Sequence, residues 1–213
     1  VTPQPIIVTA ASRPVVQLSE VKDHLRILHT DEDALLEGYI ETATAYFSWL
    51  TGVTVYQTVY ALNLDRFDAL YHAQHHVAHH VQYRTKIIDL PCASPLISVG
   101  SITYKNSDGV TATLSPSLYV VDTSYGRIAP AYGQSWPTFT PWPLSAVRIE
   151  YTAGRAITDA PPAGARECIA QLVGGLYENR ESTVPTDRAT LAAYADNPVT
   201  KRLLAQFKRT YAF

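Results

Sequence analysis

The sequence has no methionine, two cysteines and few charges for its length. Asp, Glu, Lys and Arg make up 17% of its 213 residues, against about 25% in an average soluble domain. The cysteines, Cys92 and Cys168, form no CxxC pair and no metal-ligand spacing. That excludes a cysteine zinc site and a disulfide framework. Both read as reduced, small hydrophobic side chains, which points to synthesis inside a cell. No run approaches about 18 uninterrupted apolar residues, so no membrane-spanning helix is expected. Residues 1–12 lack a basic segment followed by an apolar one, so no signal peptide is expected. The missing methionine is read as an initiator removed before residue 1. The net charge of −2 excludes a generally basic nucleic-acid binder but not a local basic patch. There is no GxSxG, no Walker loop and no GxGxxG.

What the chain does have is apolar and aromatic. Hydrophobic residues are 46%, with 14 tyrosines, 14 prolines and 3 tryptophans. This is a globular composition, and the length suffices for a core that needs no metal or disulfide. Low charge with many tyrosines suits a surface largely covered by partners. A tyrosine-rich β-protein would show the same composition.

Periodicity divides the chain into three stretches. Residues 1–17, with Pro3, Pro5 and Pro14, read as an extended arm. Ser19 is a candidate N-cap for a helix whose apolar stripe is Leu18, Val21, Leu25 and Leu28. Thr30 and Asp31 open a second helix, with Leu36, Ile40, Ala43 and Phe47 on one face and Gly52 as its stop. Together they predict an αα-hairpin. From Val53 the period becomes two, and strands are expected at 53–61, 87–90, 97–104, 110–114, 119–122 and 147–151. Asp108-Gly109 marks a hairpin. Helix returns after Pro161-Pro162, with Cys168, Ile169, Leu172 and Val173 buried and Gly174-Gly175 allowing close helix approach. A short helix is expected over 186–194, and a last one opens at Pro198. The fold class is α+β: a helical body (18–52 and 161–213) interrupted by an antiparallel β-rich insert (53–157), read as a single domain over 1–213.

Three constellations could carry function. His72, His75, His76, His79 and His80 crowd one segment within a polar excursion at 67–86. Imidazoles at i and i+4 can ligate a metal, and Asp65, Asp68 and Asp89 flank the segment. No carboxylate lies within the run and no HExxH is present, so the excursion reads as a loop, with no metal, cofactor or catalytic residue assigned. A metal-dependent enzyme using His72–His80 remains the alternative of another class. Trp136, Trp142 and the tyrosines suggest a further alternative, a carbohydrate-binding β-module. The third constellation is the C-terminus. Residues 199–213 carry Lys201, Arg202, Lys208 and Arg209 with no acid, beside Leu203, Leu204, Phe207, Tyr211 and Phe213. This basic amphipathic helix can dock into a protein groove or pack on its own core.

The order of elements and certain phrases resemble a known family. They are Leu18-Ser19-Glu20-Val21-Lys22-Asp23-His24-Leu25-Arg26, Asp31-Glu32-Asp33 before Leu35-Leu36, and Leu90-Pro91 with Pro95-Leu96. Asp108-Gly109, Tyr119-x-Val121-Asp122, Trp136-Pro137, Val147-x-Ile149-x-Tyr151-Thr152-Ala153-Gly154 and Tyr177-Glu178-Asn179-Arg180-Glu181 follow in order. Together they resemble the head–tail connector, or adaptor, proteins of long-tailed bacteriophages and gene-transfer particles, over about residues 15–210. The resemblance implies a non-enzymatic virion neck protein, assembled in the host bacterial cytoplasm. Such a protein forms a homo-oligomeric ring of twelve copies on the portal. It joins the DNA-filled head to the next neck or tail protein, and genomic DNA passes through without sequence-specific binding. No membrane is involved. A tail-terminator or stopper protein is the nearest alternative. On this reading Lys201, Arg202, Leu203, Leu204, Phe207, Lys208, Arg209, Tyr211 and Phe213 meet the portal. The resemblance carries nothing over to the His-rich excursion, which departs from the family pattern.

Overall fold

The computed structural model describes residues 4–67, 86–178 and 198–207. The expected helix at 186–194 lies outside them. The chain divides into two compact units, residues 11–56 with 155–213, and residues 1–10 with 57–154. Each has its own apolar core.

The helical unit begins with α1 (Leu18–Leu25) and α2 (Asp33–Thr51). The cap of α1 is Gln17, not Ser19. Its N–H donates to the Glu20 carboxylate at 3.0 Å, which places that acid in the positive first turn. The helix ends one turn earlier than the apolar stripe suggests. Arg26 turns left-handed at φ 58°, and its N–H and that of Ile27 return to the last carbonyls. Ile27 is therefore buried, and Leu28, expected on the stripe, is fully exposed. In α2, Leu36, Ile40, Ala43 and Phe47 are buried at the expected spacing, and Gly52 closes the helix at φ 72°. Helix α3 (Ala163–Glu178) follows Pro162 and buries Cys168, Ile169, Leu172 and Val173. Helix α4 (Pro198–Ala205) starts at Pro198, as its fixed φ favours.

The β-rich unit holds eight strands among the described residues: β1 (Ile6–Thr9), β2 (Thr58–Leu64), β3 (Ile88–Asp89), β4 (Leu96–Lys105), β5 (Thr111–Thr113), β6 (Tyr119–Asp122), β7 (Arg127–Pro130) and β8 (Val147–Ala153). A five-stranded sheet runs β1-β2-β8-β4-β5, with every neighbouring pair antiparallel. A three-stranded antiparallel sheet runs β3-β7-β6. Strand β8 lies at the centre and alternates strictly, burying Val147, Ile149, Tyr151 and Ala153. Leu62 and Ile102 from the larger sheet share one core with Ile88 and Ile128 from the smaller.

Two expectations change here. Part of the N-terminal arm is a strand, β1. The strand expected from Val53 starts at Thr58, because Val55 and Tyr56 are buried in the helical core while Tyr60, Leu62 and Leu64 belong to the β core. Strand β7 has no clear pattern in the sequence, following Gly126 directly and ending at Pro130. The Asp108-Gly109 hairpin forms as expected. The Asn106 carboxamide oxygen accepts the N–H groups of Asp108 (3.1 Å) and Val110 (2.9 Å), and Gly109 supplies φ 80°.

Candidate functional site

The C-terminal constellation is described through Phe207, and its apolar residues turn inward. Leu204 is buried in the helical core, with Leu203 and Phe207 packed against it. The Phe207 ring meets Phe47 edge-on at 5.4 Å between centroids. It also lies over Gly164, where a Cβ would come within 3.2 Å of the Phe207 ring. The Thr200 hydroxyl donates to the Gln171 side-chain oxygen at 2.7 Å, tying α4 to α3. Leu204 and Phe207 thus hold the helix on its own unit, and an apolar anchor at Leu204 is not open to a partner in this conformation. Lys201 and Arg202 are exposed on the same helix. Lys208, Arg209, Tyr211 and Phe213 lie outside the described residues.

The histidines His72, His75, His76, His79 and His80 and the carboxylate Asp68 also lie outside them. The stems of that excursion are described, and one side chain joins them. Trp136 stacks on Phe67 at 4.9 Å with nearly parallel planes, and its indole N–H donates to the Lys86 carbonyl at 2.7 Å. Phe139 and Tyr104 complete the aromatic group. Asp65 accepts the Ser145 N–H at 2.9 Å, so this carboxylate holds a turn. Asp89 sits in β3. Among the described residues no group of three or more His, Cys, Asp or Glu converges as a metal site would require. The two tryptophans do not form one platform: Trp136 packs inward, while Trp142 carries the Lys105 ammonium over its ring at 4.0 Å.

Five further titratable groups among the described residues have shifted pKa values. Burial pushes both thiols up to about 11, with Glu167 adding to the effect at Cys168. Neither has the lowered pKa of a reactive thiolate. Tyr151 is raised by burial, then by Cys92 and Tyr60, and its hydroxyl donates to the Pro91 carbonyl. Tyr119 is raised by burial alone. Desolvation pushes Asp122 up, but the Arg127 guanidinium and the Tyr125 and Ser124 amides outweigh it and hold the carboxyl below its usual range. No helix among the described residues is long and apolar enough to cross a membrane.

The fold defines the class: an α+β protein in which a β-rich unit interrupts a helical one. Residues 15–86 match the phage gp6-like head-tail connector protein family. Similar solved chains extend the likeness over the whole fold. One is in the neck of an empty gene transfer agent (GTA) particle computed with C6 symmetry, at 20% identity and TM-score 0.67. A second is in the virion of a native GTA particle, at 18% and 0.67. A third is in the neck of a native GTA particle computed with C12 symmetry, at 19% and 0.66. Each likeness covers 99% of this chain and 97% of the other. No curated protein matches the sequence. The resemblance to head–tail connector proteins is thereby borne out, by sequence over residues 15–86 and by fold over nearly the whole chain.

Proposed function

We propose that this chain is a structural component of a virion neck. It forms a ring of twelve copies on the portal and joins the DNA-filled head to the next neck or tail protein. The observation that carries the reading is the shared fold over 99% of this chain with chains of GTA neck particles. The match of residues 15–86 to a head-tail connector family supports it and favours a non-enzymatic role. The neck particles computed with C6 and C12 symmetry support the ring. A net charge of −2 suits a conduit that lets DNA pass without gripping it.

Portal contact falls to the basic side of the C-terminus, Lys201 and Arg202 with Lys208, Arg209, Tyr211 and Phe213 beyond. Leu203, Leu204 and Phe207 seat that segment on its own unit. The test is deletion of the gene in the particle-producing cell. DNA-filled heads and separate tails are expected by electron microscopy, with tailed particles restored when the chain is supplied again. Normal tailed particles from the deletion strain would overturn the reading.

A further inference from the structure

The five-stranded sheet ends on two open edges, β1 and β5. Among the described residues no strand pairs with the outer side of either. An unpaired edge offers a row of N–H and C=O groups that another extended chain can satisfy, and proteins usually guard such edges with charge or proline. Here neither strand contains a charge or a proline, and Pro3 and Pro5 precede β1 in the sequence without entering it. Residues 1–12 carry no charged side chain, and neither do residues 109–121, which contain β5. All four residues of β1 are exposed. Ile6 and Ile7 are each 54% exposed, Val8 is 47%, and Val110 beside β5 is 61%. Such apolar exposure on both faces of an edge strand is costly in a free monomer and suits one that becomes covered.

We infer that the β1 edge of one copy pairs with the β5 edge of the next, joining the five-stranded sheets of neighbouring subunits into one belt. This rests on the ring reading above and names the interface within it. The occupant is a second copy for three reasons on the chain itself. The two edges are different surfaces of one sheet, as a head-to-tail ring contact requires. Both are uncharged, so neither repels the other. An odd number of antiparallel strands also makes β1 and β5 run in the same sense. Copies related by a small rotation therefore meet as a parallel pair, without inverting either subunit. The seam is short, because β5 has only three residues. Parallel pairing is also slightly weaker per residue. The contact therefore forms on a template rather than between free chains.

The test uses the full chain assembled with its portal. Val8→Cys is combined in turn with Thr111→Cys, Ala112→Cys or Thr113→Cys and oxidised. Within one copy these positions are four strand spacings apart, about 19 Å, far beyond the reach of a disulfide. A bond can only join neighbours. Of the native thiols Cys168 is fully buried, and the parent chain oxidised alongside controls for Cys92, which is partly buried. At least one pair is expected to give a covalent ladder rising to the full ring on a non-reducing gel, absent from every single-cysteine variant. Ile7→Lys, and Ile6→Lys as a second variant, are expected to keep the parent's circular dichroism and melting temperature and to lose ring formation. Rings without any ladder, formed equally by the lysine variants, overturn this interface alone. Loss of rings in the lysine variants with no ladder from any pair shows a different occupant and overturns the copy-to-copy pairing. Absence of a ring from the unaltered chain on its portal overturns the ring reading as well.

Discussion

Gly174 and Gly164 lie on the same helix and face opposite demands. A Cβ at Gly174 would meet the Leu25 side chain at 3.5 Å, an ordinary contact, so α1 does not require a glycine there. Gly174→Ala is expected to stabilise the protein by about 0.5–1 kcal/mol, read as a higher urea midpoint. A Cβ at Gly164 would press on Phe207 at 3.2 and 3.3 Å. Gly164→Ala is expected to lower that midpoint, and less so in a Phe207→Leu background. Asp122 is another residue whose role appears only in three dimensions. It accepts the Ser124 and Tyr125 amides at 3.1 Å and Arg127 at 2.8 Å, closing the β6–β7 turn. Folding lowers its pKa, so its stabilising effect is present above the unfolded value of about 3.9 and lost as pH falls through the folded one. Asp122→Asn should lower the urea midpoint at pH 7, and the deficit should shrink as pH falls below about 3.9. A deficit that does not change with pH would show that the charge is not responsible.

At the scale of elements, α4 is the informative case. Its sequence allows docking outward or inward, because Leu203, Leu204 and Phe207 share a face in either event. The structure shows Leu204 in the helical core and Phe207 against Phe47. Phe207→Ala is therefore expected to destabilise the isolated protein by about 2–3 kcal/mol, less than the ~3–5 kcal/mol of a fully buried ring because this one is half-buried. Calorimetry of the free chain measures it directly. A chain ending at Asn197 loses these packing residues and should melt earlier. A chain ending at Phe207 keeps them, should melt like the parent, and should bind the portal less well. If that shorter chain binds the portal with unchanged affinity and salt dependence, Lys208, Arg209, Tyr211 and Phe213 have no part in docking.

For the whole molecule, two cores within one chain separate stability from assembly. Each unit buries its own apolar cluster, so the free chain is expected to fold without a partner. Apolar side chains that stay exposed include those of the β1 edge, Trp49 on α2, Val110 beside β5 and Tyr132 beyond β7. The free protein is expected to sediment as a monomer and to form rings only when portal is added. Analytical ultracentrifugation with and without portal checks this. A stable ring in the absence of portal would show that no template is needed.

The sequence by itself determined the class of the strongly periodic stretches. Period-3.6 stripes give α2 and α3, the strict alternation of residues 147–153 gives β8, and Asp108-Gly109 gives its hairpin. All three depend on neighbours a few residues away, so they are legible in a linear string. The connector resemblance was legible for the same reason, as short phrases in a fixed order. Of the candidate site, the basic and apolar residues of the C-terminus could be named but not oriented. The tertiary structure decided what depends on distant partners. Ile6–Thr9 became a strand because β2 offers it an edge. Val55 and Tyr56 left the β pattern because the helical core claims them. Trp136 serves as a clasp for two stems because Phe67 and Lys86 meet it in space. Leu204 faces inward because α2 and α3 leave an apolar surface for it. A side chain's chemistry is local, but which surface it covers is set by chain segments far away in sequence.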